Sequence, residues 1–344
     1  MIDAIELKNF GPITHLACPT LGNINLVIGE NSTGKTFLLK ALYSTMRTLE
    51  DYKRGNEQRS AAEILADKLY WTFQPEKIGD LVSKSADGPL ALQLTFNGKP
   101  FSYSFGKDTN KSITVDNQVP PRASNSVFLP AKEVLSLHHI ILKSREQDRL
   151  FGFDDTYFDL ARALRQMPVA GDGGLQKTAL ATIQFGPSRK QLETILGGKI
   201  QYDEESQRWL FKKGNQKFPI GVTAEGVKKI AILDTLLSNR YLDTQAIIFM
   251  DEPEAALHPV AIGKLLAIVA DLAGYGIQFV IASHSYFVVK KLYLLAQERG
   301  MSIPVLSKEG DSWQLSDLQD GMPDNPIINE SIRLYEEEVG LAFA

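Results

Sequence analysis

The chain has 344 residues, of which 44% are hydrophobic and 23% are charged, and its formal net charge is −4. This length allows one large domain or two ordinary ones, and the acidic balance gives no global positive field that would attract nucleic acid or anionic membranes. The single cysteine, Cys18, excludes an internal disulfide, and no apolar run approaches the ~20 residues of a membrane span, so we expect a cytoplasmic protein without membrane contact.

The first third of the chain predicts a strand, a loop and a helix, followed by short strands. β-rich runs at 4–10 and 24–29 precede a helix from Thr36 onward, where apolar residues recur at helical spacing. Residues 52–76 are polar and also show helical periodicity. Between 90 and 119 the pattern alternates as in short strands, with Asn-Gly as the expected hairpin turn, and "SVFLP" follows as a buried strand.

The rest of the chain predicts an inserted helical segment and then a parallel α/β region. Residues 142–195 are helical and charged, and a "GDGG" run at 171–174 interrupts them. Strands return at 199–222, and the runs "QAIIFM" and "IQFVIAS" are nearly all apolar, as in parallel strands that are covered on both faces. We therefore expect one domain over 1–344, with 142–195 inserted into it and 318–344 forming a C-terminal helix.

Residues 29–36 match G-x-x-x-x-G-K-[ST], the pattern of a phosphate-binding P-loop, between a predicted strand and a predicted helix. Glycines let the backbone wrap around an anion, and the helix N-terminus adds partial positive charge. Lys35 would reach the β- and γ-phosphates of ATP, while the Thr36 hydroxyl would bind Mg²⁺. The residues predicted to contact the nucleotide here are Gly29, Glu30, Asn31, Ser32, Thr33, Gly34, Lys35, Thr36 and Phe37.

Two adjacent carboxylates, Asp251 and Glu252, come directly after the apolar run "AIIFM". Asp251 can hold Mg²⁺, and Glu252 can act as general base towards the attacking water. Alternatively the pair opens a helix with Pro253 at its first position. The next strand ends at His284, which would contact the γ-phosphate. We predict Glu252, His284 and Lys35 as catalytic residues, and Thr36 and Asp251 as metal ligands.

The order of these motifs, a P-loop, a strand followed by "DE" and a strand followed by His, resembles the ATP-binding-cassette (ABC) class of ATPases. "IELKNFGPI" and "DEPEAALHP" are similar to the RecF, SMC and OLD (overcoming-lysogenisation-defect) branch, in particular to small bacterial AAA-type proteins of defence or toxin–antitoxin modules. The resemblance covers about residues 1–45, 126–135 and 196–310. It implies an α/β P-loop NTPase with an ABC/SMC-head-like core, a mixed sheet, an antiparallel β subdomain and a helical insertion.

The resemblance also implies a homodimer that encloses two Mg-ATP, each between one subunit's P-loop and the other's signature motif. The candidate signature motif is "VTAEGVKKIAILDTLL", in which Thr223, Glu225 and Gly226 would meet the partner subunit's nucleotide. Ala224 stands where the family usually has serine. No glutamine follows "SVFLP" to form a Q-loop; Lys132 or Glu133 would replace it, or both are plain surface residues.

The function implied is hydrolysis of ATP to ADP and phosphate by a switch that controls a separate effector, a nuclease or toxin, in bacterial anti-phage defence. About sixty residues follow His284, fewer than a typical nuclease domain needs, so we expect the effector in trans. The alternative is a RecF/SMC-like DNA-repair ATPase. The acidic charge does not favour that alternative, but lysine pairs at 212–213, 228–229 and 290–291 could line a nucleic-acid path if they cluster.

The C-terminus predicts an amphipathic helix that Asp324 or Asn325 caps. Its apolar stripe should be buried, either on the protein's own sheet or, with Leu341 and Phe343, against a second chain. The stripe consists of Ile328, Ile332, Tyr335 and Val339. The neighbouring pair His138 and His139 is not expected to bind a metal, because the sequence offers no third ligand nearby.

Overall fold

A computed structural model describes residues 1–166, 174–310 and 312–342. Most of the predicted break at 171–174 lies outside these residues. The strands are β1 Ile2–Phe10, β2 Ile13–Cys18, β3 Ile24–Ile28, β4 Leu90–Phe96, β5 Lys99–Phe105, β6 Thr114–Asn117, β7 Ser126–Leu129, β8 Lys199–Asp203, β9 Arg208–Lys213, β10 Gln216–Pro219, β11 Ile247–Asp251, β12 Gln278–Ser283, β13 Pro304–Glu309 and β14 Ser312–Asp317. The helices are α1 Lys35–Asp51, α2 Ala61–Phe73, α3 His138–Glu146, α4 Asp155–Leu164, α5 Gly174–Leu196, α6 Glu225–Ser238, α7 Pro259–Gly274, α8 Tyr286–Arg299 and α9 Pro326–Ala342.

The central sheet is mixed and has the order β14-β13-β3-β12-β11-β7. Strands β13, β3, β12, β11 and β7 run parallel, and only β14 pairs antiparallel, at the edge. Every residue of β3, β11 and β12 is buried, which explains why their sequences are continuous apolar runs. The carboxyl ends of these three strands lie at one edge of the sheet, where α/β proteins bind their ligands.

A second, antiparallel sheet has the order β2-β1-β4-β5-β6 and forms the expected β subdomain. Its hairpin turn is Asn97-Gly98, with φ of 48° and 72°, as a two-residue turn of primed type requires. The sequence reasoning missed β2. Its apolar residues do not alternate strictly, and it forms a strand because it pairs with the whole second half of β1.

The segment 142–195, which we predicted as a helical insertion, takes in part of α3, all of α4 and nearly all of α5, and α4 packs against the core. Asp154, the residue that caps α4, pairs with Lys40 of α1 at 2.6 Å. The buried carboxylate of Asp159 accepts a hydrogen bond from the Tyr43 hydroxyl at 2.9 Å and faces Lys68 at 3.3 Å. This buried ion-pair network attaches the insertion to the helix that follows the P-loop.

Two helices differ from expectation in ways that side-chain contacts explain. The helix expected over 52–76 is only α2, which begins after Ser60 because Ser60 and Glu63 form a reciprocal capping box. In α9, Asn325 accepts the Ile327 N–H, as a cap should. Yet only Ile328 of its stripe is buried, while Tyr335 is 65% exposed, so burial of the stripe on the protein's own sheet is wrong.

The three-stranded sheet β10-β9-β8 lies beside the insertion and contacts α6 through β8. The described helices include none with the length and apolar character that crossing a bilayer would need.

Candidate active site

The loop between β3 and α1 closes around the amine of Lys35. The side chain is only 7% exposed, and Nζ donates hydrogen bonds to the carbonyl oxygens of Gly29 at 2.8 Å and Glu30 at 2.7 Å. Burial lowers the pKa of Lys35, and nearby carboxylates, Glu252 first among them, oppose that shift. The ammonium group of Lys35 therefore lies inside the loop, where the P-loop pattern predicts that phosphates bind.

The curvature of this loop needs backbone conformations that most residues avoid. Gly34 has φ of 96°, and a Cβ there would lie 2.9 Å from Cγ of Pro12. Ser32 is also left-handed, with φ of 65°. The hydroxyl of Thr33 donates to the Glu30 carbonyl at 2.8 Å, and this hydrogen bond stabilises the turn. Side chains at Glu30, Asn31 and Ser32 are exposed, so these residues offer mainly their backbone to a ligand.

Thr36 and Asp251 meet across the tips of β3 and β11, although they are far apart in sequence. The Thr36 hydroxyl lies 3.0 Å from Oδ1 and 2.9 Å from Oδ2 of Asp251. Burial raises the pKa of Asp251, while the hydrogen bond from Thr36 lowers it. A hydroxyl and a carboxylate at this spacing are hard oxygen ligands of the type that Mg²⁺ takes.

The predicted base and the predicted sensor also lie side by side. Nδ1 of His284, after β12, is 3.3 Å from Oε1 of Glu252, after β11. Glu254, two residues further on, accepts the Ser283 hydroxyl at 2.7 Å and the His284 N–H at 3.4 Å. The loop after β11 therefore fixes the position of the loop after β12.

Sequence reasoning missed two neighbours of this cluster. It did not single out Glu254, although that residue stands in the quoted "DEPE" run. It named Lys229 only within a lysine pair that could line a nucleic-acid path, but the Lys229 Nζ donates to the main-chain carbonyl of Glu252 at 2.9 Å. Its neighbour Lys228 is buried, which does not favour a nucleic-acid path along this pair.

The candidate signature residues lie at the start of α6, next to the loop after β11. Gly226 is buried, and a Cβ on it would be 2.6 Å from Cδ2 of Leu257. Glu225 is exposed and Thr223 partly exposed. The structure thus explains Gly226 by packing within the chain, which leaves its expected contact with a partner's nucleotide a prediction.

The structure also shows the surroundings of three other residues from the sequence analysis, namely Phe37, Glu133 and His138. The ring centroid of Phe37 lies 4.5 Å from that of Phe73 and 5.2 Å from that of Phe10, so its side chain packs among aromatic residues and is only partly exposed. Glu133, a candidate for the missing Q-loop glutamine, accepts the Ser136 N–H at 2.6 Å. His138 is buried, and no group of potential metal ligands was found among the described residues.

Comparison with known proteins gives a family match over most of the chain. The family model described as "AAA domain, putative AbiEii toxin, Type IV TA system" matches residues 48–290, which begin within α1 and include the loops after β11 and β12. An uncharacterized protein from Methanocaldococcus jannaschii, MJECL10, is 29% identical over 119 residues, 34% of this chain and 51% of that protein. The DNA replication and repair protein RecF of Lactococcus lactis subsp. lactis is 31% identical over 99 residues, 28% of this chain and 25% of RecF. The chain therefore spans about half the length of the first relative and about a quarter of the second.

Among solved structures, the Smc head bound to the C-winged helix domain of ScpA aligns with a TM-score of 0.53 at 13% identity. That alignment covers 92% of this chain and 97% of the Smc head. An Smc head domain with an extended coiled coil, bound to the C-terminal domain of ScpA derived from Pyrococcus furiosus, gives 0.50 at 12% identity, with 98% of each chain covered. These likenesses confirm the fold class, an α/β P-loop NTPase core of the SMC-head type.

Proposed function

Because the chain belongs to the AAA domain family described above and has the P-loop ATPase fold of the ABC, SMC and RecF type, we propose that it hydrolyses Mg-ATP. The observation that supports this most directly is the convergence of three motifs at the carboxyl ends of β3, β11 and β12. There the Thr36 hydroxyl meets Asp251, and Glu252 meets His284. Each pair joins residues that are distant in sequence.

The position of each side chain suits one role in ATP binding or hydrolysis. Lys35 would exchange the loop carbonyls for phosphate oxygens, since its ammonium group has three donors and already donates to two carbonyls of the loop. Thr36 and Asp251 would hold Mg²⁺, which neutralises charge that develops on the phosphate oxygens. Glu252 would accept a proton from water as the water oxygen bonds to the γ-phosphorus and the bond to ADP breaks. His284 would orient Glu252 and donate to the γ-phosphate.

We extend the proposal to a homodimer that encloses the nucleotide. The α6 N-terminus, with Gly226, and the loop around Leu257 lie against each other and could meet a partner's P-loop as one surface. Oriented N–H groups at a helix N-terminus suit a phosphate. Glu225 beside them is exposed, and its negative charge would repel a phosphate bound there.

The role we favour is a nucleotide-gated switch for a separate effector protein in bacterial defence. The family description names a toxin and a type IV toxin–antitoxin system, and the two Smc heads were each solved with ScpA bound. By analogy, the ATP state of this protein would control its association with another chain.

One observation favours the alternative, a RecF-like ATPase that acts on DNA. Lys212 of β9 lies directly opposite Lys199 of β8 and Lys217 of β10, so three lysines form a row across one face of the three-stranded sheet. Like charges in direct register destabilise a sheet, and such a row suits a phosphate backbone. Lys199 also pairs with Glu193 at 2.9 Å, which reduces the net charge of the row.

The proposed hydrolysis is tested with Glu252→Gln. Loss of a general base slows such reactions by roughly 10²–10⁴-fold, while ATP affinity should stay near that of the parent. The uncleaved γ-phosphate should also trap the dimer, which light scattering with and without ATP measures. Hydrolysis at the parental rate would show that another residue is the base.

The two roles are separated by the response of the parent ATPase to DNA. A DNA-acting enzyme should be stimulated by DNA, and the stimulation should be lost in Lys212→Glu/Lys217→Glu and at high salt. An effector switch should show no such response and should instead co-purify with a partner protein in an ATP-dependent manner. The pair Lys290→Glu/Lys291→Glu on α8, whose side chains are partly exposed, serves as the charge-matched control.

A further inference from the structure

Lys229 connects α6 to the acidic loop after β11. It lies on the second turn of α6, and its Nζ donates to the carbonyl oxygen of Glu252 at 2.9 Å. Burial lowers the pKa of Lys229, while the charges of Glu254, Glu252 and Asp251 raise it. The ammonium group thus contacts the main chain of the candidate base and lies near three carboxylates.

The backbone of Glu252 has a conformation that needs such support. Its φ is 47°, in the left-handed region that residues with a side chain seldom occupy, and that persists only where surrounding contacts fix it. The Glu252 N–H donates to the Ala282 carbonyl on β12 at 2.9 Å. Its carbonyl accepts from the Ala255 N–H at 3.0 Å and from Lys229. These contacts set the direction in which the Glu252 side chain leaves the main chain.

The preceding lysine makes a different contact. Lys228 is buried, and its Nζ donates to the Ser136 hydroxyl at 3.0 Å, in the loop after β7. It also faces Glu133 at 3.8 Å. Adjacent residues of α6 thus reach two separate loops, and Lys229 is the one that contacts the candidate base.

We infer that Lys229 is a positioning residue for ATP hydrolysis, which holds the main chain of Glu252 so that its carboxylate faces the attacking water. This inference rests on the proposed role of Glu252 as general base. It has a consequence for the dimer: α6 begins beside Gly226, so the helix that would contact the partner's nucleotide also orients the base of its own subunit. Nucleotide bound at one site would then influence hydrolysis at the other.

The test is Lys229→Met in the full chain, with Lys264→Met, at an exposed lysine of α7, as the matched control. Methionine keeps most of the buried stem and removes the donor. We expect kcat to fall about tenfold or more, because a displacement of about 1 Å in a catalytic group can cost on the order of 10²-fold. The dissociation constant of a non-hydrolysable ATP analogue should change less than about twofold. Lys264→Met should match the parent in both measurements.

A double-mutant cycle with Glu252→Gln separates positioning from an independent effect. If Lys229 acts through Glu252, adding Lys229→Met to Glu252→Gln slows hydrolysis no further. Equal slowing in both backgrounds would overturn the inference, as would a parental kcat in Lys229→Met or a joint loss of kcat and nucleotide affinity. Lys229→Gln provides a second variant if the methionine variant unfolds, and thermal denaturation identifies that case.

Failure of the inference is distinguishable from failure of the proposed function. Parental hydrolysis in Glu252→Gln removes the base assignment itself. Slow hydrolysis in Glu252→Gln together with a parental rate in Lys229→Met removes only the role of Lys229.

Discussion

The ammonium group of Lys35 is the positive charge that we expect to bind the phosphates of ATP. In Lys35→Ala we expect ATP affinity to fall roughly ten- to hundredfold, since a hydrogen bond to a charged group contributes about 1.5–3 kcal/mol. Folding should lose little, because the contacts of Nζ are to carbonyls of its own loop. Calorimetric titration with ATP and thermal unfolding measure the two effects. Lys8→Ala is the control, because the Lys8 side chain is exposed, and unchanged affinity in Lys35→Ala would remove the P-loop assignment.

Gly226 provides a test of packing between α6 and the loop after β11. A Cβ there would lie 2.6 Å from Leu257 Cδ2 and 2.7 Å from the Ala256 carbonyl oxygen. Gly226→Ala must therefore displace one of the two segments, and overpacking of this kind costs about 1–3 kcal/mol. We expect lower stability to urea and slower hydrolysis, because Lys229 on the same helix would move with it.

The control for that substitution is Gly263→Ala on α7, where a Cβ would meet no other atom. Alanine is the better helix former, so Gly263→Ala should stabilise the protein by up to about 1 kcal/mol. Equal stability of the two variants would show that α6 and the loop separate readily, contrary to the packing described.

The motif residues could be predicted, whereas the residues that support them could not. Lys35, Thr36 and Asp251 belong to patterns whose spacing follows from phosphate and metal geometry. The contact of Lys229 with Glu252 joins a helix to a loop through a main-chain carbonyl. No side-chain pattern specifies such a contact, because any residue offers the same carbonyl.

Helix α3 is attached to the three-stranded sheet through a histidine that is neutral in the fold. His138 is 2% exposed, packs against Tyr202 and Trp209, and its Nε2 lies 2.9 Å from the Ala161 carbonyl. Burial lowers the pKa of His138 from 6.5 to about 4. Between these two pKa values, His138 is therefore protonated in the unfolded chain and neutral in the folded chain.

Stability should accordingly fall as the pH drops from about 6.5 towards 4, with this residue contributing up to roughly 3 kcal/mol. His138→Gln removes the titrating group, so its free energy of unfolding should depend less on pH across that window. Urea unfolding at pH 7 and pH 5 measures the difference. His139→Gln, next to it and exposed, should keep the pH dependence of the parent; the same behaviour in His138→Gln would contradict the assignment.

Elements with strong local signals were predictable, and those made by pairing or capping were not. The strands β3, β11 and β12 are continuous apolar runs because both faces of the sheet are covered. In contrast, β2 exists because β1 pairs with it, and α2 starts where one capping box forms. Patterns that are read along a single segment contain neither kind of information.

Among the residues that the structure describes, those on the apolar face of helix α9 are largely exposed. Helix α9 continues beyond Ile328 with apolar side chains in solvent, and Ile332 is 50% and Leu341 77% exposed. On the neighbouring helix α8, Phe287 is 58% exposed and lies three residues after His284. Where such side chains form a contiguous exposed patch, the patch marks an interaction site. The sequence predicted the stripe, but whether the chain's own sheet covers it depends on how far the helix projects from the core.

We predict that the apolar side of α9 contacts a second chain, the other subunit or an effector. Deletion of residues 341–344 and the double substitution Ile332→Ser/Tyr335→Ser should each weaken association while ATP binding stays unchanged. Thermal stability should change little, because exposed side chains contribute little to the fold. Light scattering and co-purification measure assembly, and Glu336→Ser on the same helix is the control. Unchanged assembly in both variants would contradict this prediction, whatever happens to the melting temperature.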